Sequence, residues 1–271
     1  MKQKHYFWTV MMAALAFVCT ACGSKEVGNK QLVLYYSQTG ATKTVAEKLQ
    51  QMVNADIEAI ELENPYTGTY AETIQRAGEE RASGNMPKLK PLKADLSKYE
   101  TIYLGFPIWY GTYALPIVSL VKDYDFEGKK IVTFCTFGSG GLEPAMADLK
   151  AALPKAEVAE HGFGIRNARI SATEKELNRF LIEYGYMEGS VDALPGYSEL
   201  QPVTEEEKLI FDAACSDYQY PLGTPIMAGK RGTPDGVDYI YQVESRGVTC
   251  TIYVTVGNEE GAKPEFTRVV R

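Results

Sequence analysis

Apolar positions in this chain follow one pattern up to about residue 184 and another beyond it. In the first stretch, short apolar runs alternate with segments whose apolar residues recur every three or four positions. Leu32-Val33-Leu34-Tyr35-Tyr36 is a continuous run, suited to a strand covered on both faces. Val45, Leu49, Met52 and Val53 follow at helical spacing and predict a helix over 42–54. The same reading predicts strands at 57–62, 101–106, 130–134 and 157–164, and helices at 70–84, 115–123, 142–153 and 173–184. Ser171-Ala172-Thr173-Glu174 has the form of a capping box and predicts the start of the last helix. Regular strand–helix alternation predicts an α/β domain over 31–185, a parallel sheet with helices on both faces. Ligands of such sheets sit beyond the carboxyl ends of the strands.

The second pattern follows a segment, 186–203, whose Gly189, Pro195, Gly196 and Pro202 predict a linker. Thr204-Glu205-Glu206-Glu207 is a further capping box, opening a short helix with Leu209, Ile210, Phe211 and Ala214. Strands are predicted at 218–227, 237–244, 248–256 and 266–270. In the third of these, Val248, Cys250, Ile252, Val254 and Val256 alternate with Thr249, Thr251, Tyr253 and Thr255, giving one apolar and one polar face. One helix against an antiparallel sheet makes residues 204–271 a small α+β domain.

Charge and composition change this picture at the N-terminus. Lys2 and Lys4 precede an apolar run over 6–18, shorter than the roughly 20 residues a spanning helix needs. Small residues then lead into Cys19-Thr20-Ala21-Cys22-Gly23-Ser24. Residues 1–21 read as a signal peptide, and the small residues before Cys22 resemble a bacterial lipobox, with Cys22 the acylated first residue and 22–30 a tether. Cleavage and secretion without acylation is the alternative. Both readings export the domain, to the bacterial periplasm or cell envelope, with membrane contact through the lipid anchor only. Removing 1–21 takes away two lysines and no acid, leaving 26 basic against 35 acidic side chains, or −9 in place of −7. An acidic surface argues against nucleic acid as a partner.

Of the two histidines, His5 falls in the signal and His161 at a predicted strand end. One histidine cannot build a His-rich zinc site, and His161 is the sole histidine open to a Ser-His or Cys-His hydrolase. No metal site and no protein catalytic residue is predicted; a bound cofactor would supply reactivity that the side chains lack. Cys135, Cys215 and Cys250 remain beyond Cys22. Cys135 reads as a buried small hydrophobe. Cys215 and Cys250 could bridge in an exported protein or remain two thiols.

Candidate binding chemistry lies in three loops at successive strand ends. In the first, Ser37, Thr39 and Thr42 carry hydroxyls between Gln38, Gly40 and Ala41 at a helix N-terminus, an anion site that needs no lysine. No Gly-Lys-Ser/Thr follows, so it is not a nucleotide P-loop. The second holds Pro107, Ile108, Trp109, Tyr110 and Gly111, aromatic residues on a Gly- and Pro-bracketed loop. The third holds Thr136, Phe137, Gly138, Ser139, Gly140 and Gly141, whose three glycines would present free amides to a ligand edge.

Together these loops resemble the flavodoxin family, in the subgroup with a Gly-x-Pro-Ile-Trp second loop. Ser37, Thr39, Gly40 and Thr42 match its Ser/Thr-x-Thr-Gly-x-Thr pattern; Asn64-Pro65-Tyr66, 103–111 and 124–130 extend the match from Leu32 to about Tyr184. Ala41 stands where many members have Asn, and the third loop reads Thr-Phe-Gly-Ser-Gly-Gly where the subgroup tends to have Thr-Ser-Gly-Gly-Ser-Gly. The resemblance implies a flavodoxin-like doubly wound five-stranded sheet binding flavin mononucleotide (FMN). The phosphate would lie on 37–42 and the ring between the second and third loops. Trp109 or Tyr110 would stack on the ring, 136–141 would contact its pyrimidine edge, and Gly111 would let a nearby peptide change orientation with redox state. The implied function is electron transfer with a redox partner protein, or an FMN-dependent reductase of quinones or another small-molecule electron acceptor. A surface binding module without flavin is the alternative outside redox chemistry. Pro221-Leu222, Ala228-Gly229 and Val237-Asp238-Tyr239 resemble bacterial domains of cystatin-like fold, which implies a fold and no activity for 204–271.

Overall fold

A computed structural model describes residues 30–245 and 247–271, so the signal, the proposed lipidation site Cys22 and most of the tether lie outside the described residues. No described helix is long and apolar enough to cross a membrane. Strand β1 (Gln31–Tyr35) leads into α1 (Ala41–Val53), then β2 (Asp56–Ala59), α2 (Tyr70–Ser83), β3 (Thr101–Trp109), β4 (Thr112–Tyr113), α3 (Leu115–Asp123), β5 (Lys130–Phe137) and α4 (Leu142–Ala152). Two short strands, β6 (Glu157–Val158) and β7 (Phe163–Arg166), precede α5 (Thr173–Glu183). The sheet order is β2-β1-β3-β5, with β6 and β7 occupying the same edge of β5 one after the other. That gives five parallel positions, the doubly wound arrangement expected.

The continuous apolar runs reflect burial on both faces. Leu32 and Leu34 face one core with Ile102, Leu104, Ile117 and Leu149, under α2, α3 and α4. Val33 and Tyr35 face the other with Val45, Leu49, Leu177 and Leu181, under α1 and α5. Neighbouring residues on one strand thus enter opposite cores, and no polar face remains to produce alternation.

Several boundaries differ from the sequence reading. The strand predicted over 157–164 breaks into β6 and β7, where Gly162 passes close to β5: a Cβ there would lie 2.9 Å from the Thr133 carbonyl oxygen. His161 sits in that break, exposed and stacked on Tyr184 at 4.4 Å. The capping box predicted at Ser171 does not form. A 3₁₀ turn over Asn167–Ala172 runs straight into α5, whose N-cap is Ala172 with no side-chain bond. Its backbone is already helical (φ −81°, ψ −2°), whereas an N-cap side chain needs an extended backbone to reach back. At Thr69, whose ψ is 167°, a capping box with Glu72 does form and starts α2.

Beyond residue 185 the chain builds a second sheet. β8 (Gln201–Pro202), β9 (Thr224–Thr233), β10 (Gly236–Ser245), β11 (Val248–Gly257) and β12 (Glu265–Val270) lie antiparallel in the order β12-β11-β10-β9-β8. Helix α6 (Glu205–Cys215) starts at the predicted capping box on Thr204 and Glu207. Its Phe211 and Ala214 pack on Tyr241, Val243, Cys250, Ile252 and Val254, so the alternation in β11 records a one-sided core. The strand predicted over 218–227 begins only at Thr224, because Pro221 has no N–H and Gly223 turns at φ +101° against the Glu244 carbonyl. The segment predicted as linker is anchored at both ends: Tyr186 and Met187 pack on the first domain, while β8 and Ser198 hydrogen-bond to β9. Cys135, Cys215 and Cys250 are all free thiols.

Candidate functional site

The first loop leaves β1 after Tyr35 and enters α1 through Gly40, which sits in the left-handed region at φ +95°. Ser37 Oγ accepts from the amides of Gly40 (3.2 Å) and Lys43 (3.1 Å), bending 37–43 into a curve around one hydroxyl. The amides of Thr39, Ala41 and Thr42 find no acceptor among the described residues. No side chain caps α1 and its first turn carries no acid, so its positive end is left for an anion. Thr39 is exposed and Ala41 half-buried. Gln38 is held by Tyr36, whose hydroxyl donates to Oε1 at 2.5 Å, and its Nε2 donates to the Tyr66 carbonyl at 3.1 Å. Thr42 is buried, and its hydroxyl shares a 2.9 Å hydrogen bond with that of Thr136. That side chain therefore joins the first loop to the third, and the ligand is left its backbone amide.

The second site segment is a hairpin. Phe106, Pro107, Ile108 and Trp109 continue strand β3, and Ile108 and Trp109 pair with Tyr113 and Thr112 of β4. The loop expected there shrinks to Tyr110-Gly111, with φ of +51° and +81°. Two central residues at positive φ make a type I′ turn, whose twist suits a hairpin. Trp109 meets Tyr36 and Tyr66 edge-on, with ring centroids 5.9 and 5.2 Å away, beside the first loop. Tyr110 instead lies over α2, its hydroxyl donating to the Ile74 carbonyl at 2.7 Å. Gly78 leaves room for it, since a Cβ there would come within 3.2 Å of that hydroxyl.

Beneath Trp109 lies a network that sequence reasoning missed. The Tyr66 hydroxyl donates to Glu80. Arg76 pairs with Glu80 through Nε at 2.8 Å, donates to the carbonyls of Pro65 and Asn64, and covers the Tyr66 ring at 4.3 Å. Burial pushes the phenols of Tyr36 and Tyr66 far above their ordinary range, with Glu80 adding to the shift at Tyr66, so both remain neutral donors. The i,i+4 spacing of Arg76 and Glu80 on a predicted helix was the available signal.

In the third loop, Thr136 and Phe137 are the last residues of β5. Phe137 was expected to approach the ligand, but it is 3% exposed and belongs to the core. Side chains alternate along a strand, so Phe137 must point away from the face that Thr136 shares with Thr42. Gly138 is exposed, Ser139 and Gly140 are half-buried, and Gly141 caps α4 at φ +113°. A Cβ on Gly141 would strike Ile108 Cγ2 at 2.8 Å, so the second and third loops are in contact.

These residues fit a flavin mononucleotide. Cβ atoms built on Gly40, Gly111 and Gly138, one in each loop, would meet no atom of the described residues within 4 Å. Unpaired amides at a helix terminus have the chemistry a phosphate needs, and Trp109 has that of an aromatic face. The family profile described as Flavodoxin matches residues 30–182, more than half of the chain. The chain belongs to the flavodoxin family. A structure named as a flavoprotein from Bacteroides uniformis ATCC 8492 is 28% identical, with a TM-score of 0.50 over 56% of this flavodoxin and 99% of that chain. Another so named, from Bacteroides eggerthii DSM 20697, is 26% identical over 59% and 99%, with a TM-score of 0.49. A flavoprotein in complex with FMN from Lactobacillus acidophilus NCFM is 23% identical over 55% and 99%, with a TM-score of 0.44. No curated protein matches.

Away from the loops, a cavity of about 970 Å³ opens between α5 and the polar face of the second sheet. Its charges are largely paired, Arg169 with Glu176 and Glu265, Lys175 with Asp235, and Arg231 with Asp238. It is a cleft between domains and lies apart from the three loops.

Proposed function

We propose that this flavodoxin binds FMN and transfers electrons outside the cytoplasm, held to the membrane by a lipid on Cys22. The carrying observation is the convergence of an uncapped helix N-terminus, an edge-packed Trp109 and an open glycine loop at neighbouring strand ends. Bound FMN would supply the electron-accepting chemistry. The protein's part is to bind and orient it. The amides of Thr39, Ala41 and Thr42 hold the phosphate, Tyr36 and Gln38 fix that loop, and Trp109 offers an aromatic face. Excess acid on the exported chain would disfavour negative charge on reduced flavin and lower its potential. A redox partner protein is the expected acceptor.

The purified protein should be yellow, or turn yellow with added FMN, and extraction should release FMN. Thr39→Glu places a carboxylate among the phosphate-binding amides and should abolish uptake. A colourless wild type that takes up no FMN, or a Thr39→Glu variant that binds normally, overturns the assignment. Reduction in two resolved one-electron stages supports a carrier, whereas rapid turnover with reduced nicotinamide and a quinone would replace that reading with a reductase. Cys22→Ser should move the protein from the membrane fraction to the soluble one; unchanged fractionation removes the anchor.

A further inference from the structure

The third loop of the flavin site is held by the C-terminal domain. The Val269 amide of β12 donates to the Ser139 carbonyl at 2.7 Å. One residue on, a Cβ at Gly140 would lie 2.2 Å from the Val269 carbonyl oxygen, so the strand's backbone rests directly on the loop. Gly140 is not at positive φ, and the approach of β12 is what excludes a larger side chain. Among the described residues β12 is an edge strand, paired with β11, and the edge that would otherwise invite aggregation is turned onto the loop.

Arg166, the last residue of β7, completes the junction. It is 4% exposed and donates to three separate segments: the Gly138 carbonyl through Nε (2.9 Å), the Phe266 carbonyl through Nη1 (2.9 Å), and the Asp217 carboxylate through both terminal nitrogens (3.3 and 3.0 Å). Its guanidinium also lies over the Phe266 ring at 4.4 Å. One planar fork thus ties the loop's first residue to β12 and to the end of α6. The fixed donor geometry of arginine makes this possible where lysine could not reproduce it.

We propose that the C-terminal domain is a structural part of the flavin site, with Arg166 and Val269 as positioning residues for loop 138–141. The inference rests on the FMN reading above. Three of those four residues are glycine, and fixing a glycine backbone costs more conformational entropy than fixing any other residue. A loop ordered in advance by β12 spares the ligand that cost and binds more tightly. The appended domain therefore acts on affinity and on the electronic surroundings of the ring's edge, and is more than a tether for partners.

Two full-length variants test this. Val269→Pro removes the N–H given to Ser139 on the unpaired edge of β12, where proline is tolerated. Arg166→Lys keeps the charge and loses the fork. In flavin-free protein both should speed hydrogen exchange at the Ser139–Gly141 amides, and both should weaken FMN binding about fivefold or more, the range of ordinary coupling between sites. They should also shift the flavin midpoint potential, which loss of overall stability alone would not do. Lys175→Ala, which breaks an exposed pair between the same two domains, should change none of these. Faster loop exchange with wild-type affinity and potential overturns the inference, as does unchanged exchange in both variants. If wild-type protein takes up no FMN, the cofactor assignment falls while the exchange data still report whether β12 orders the loop.

Discussion

Two threonines on β5 show how much a buried hydroxyl depends on its neighbour. Thr136 and Thr42 satisfy one another at 2.9 Å, and both are buried. Thr136→Val should cost about 1–3 kcal/mol by stranding the Thr42 hydroxyl, and Thr42→Val in the same protein should recover part of that loss. Thr133, three residues earlier, is fully buried, and its hydroxyl has no partner among the described residues. Thr133→Val should therefore stabilise the protein by about 1 kcal/mol, measured by urea unfolding. Equal losses at the two positions would contradict this account. Thiol reactivity follows the same logic of burial. Desolvation pushes Cys135 far up and Cys215 up to about 12, with Arg166 partly opposing the shift at Cys215. Raised values mean little thiolate at neutral pH, so both should resist alkylation in native protein and react after unfolding, as read by peptide mass spectrometry.

At the scale of elements, the β3–β4 hairpin and the start of α2 are the informative cases. Gly111→Ala puts a Cβ at φ +81° and should cost about 1–2 kcal/mol, although no atom obstructs it. The capping box of α2 is sensitive to acid. The Thr69 amide and hydroxyl hold the Glu72 carboxyl below its ordinary 4.5. A lowered carboxyl value contributes stability above the unfolded value and loses it as pH falls through the folded one. Exchange protection at the first turn of α2 should thus fade as pH drops below 4.5, ahead of the sheet. Thr69 was legible as a cap in principle, since Glu72 stands three residues on. Ser171 had the same spacing and failed, because whether a residue is extended or already in a 3₁₀ turn depends on what precedes it.

For the whole molecule, the junction between the cores decides how they behave together. Lys175–Asp235, Arg169–Glu265 and Arg268–Glu143 cross it with at least one well-exposed partner each, and such pairs contribute less than about 1 kcal/mol. Arg166 is buried, and Arg166→Ala would leave carbonyls and a carboxylate without their donor. It should cost about 3 kcal/mol and separate the unfolding of the two domains, seen as a broadened or split denaturation curve. A single sharp transition with a loss below 1 kcal/mol would argue that other contacts carry the junction.

The amino-acid order by itself determined the layering of both halves. Burial on two faces writes continuous apolar runs, and burial on one face writes the alternation of β11, so each sheet's surroundings are readable residue by residue. It also marked the three loops, since glycines and hydroxyls at strand ends follow from what a close-lying anion requires. Tertiary structure decided the rest. Phe137 proved to be core because β5 runs three residues further than its apolar run suggests. The aromatic loop became a hairpin because β4 was too short to leave a pattern. The roles of Arg166, Gly140 and Val269 left no mark in the local pattern, because they come from segments distant in the chain, up to 130 residues for Ser139 and Val269, meeting at one backbone surface.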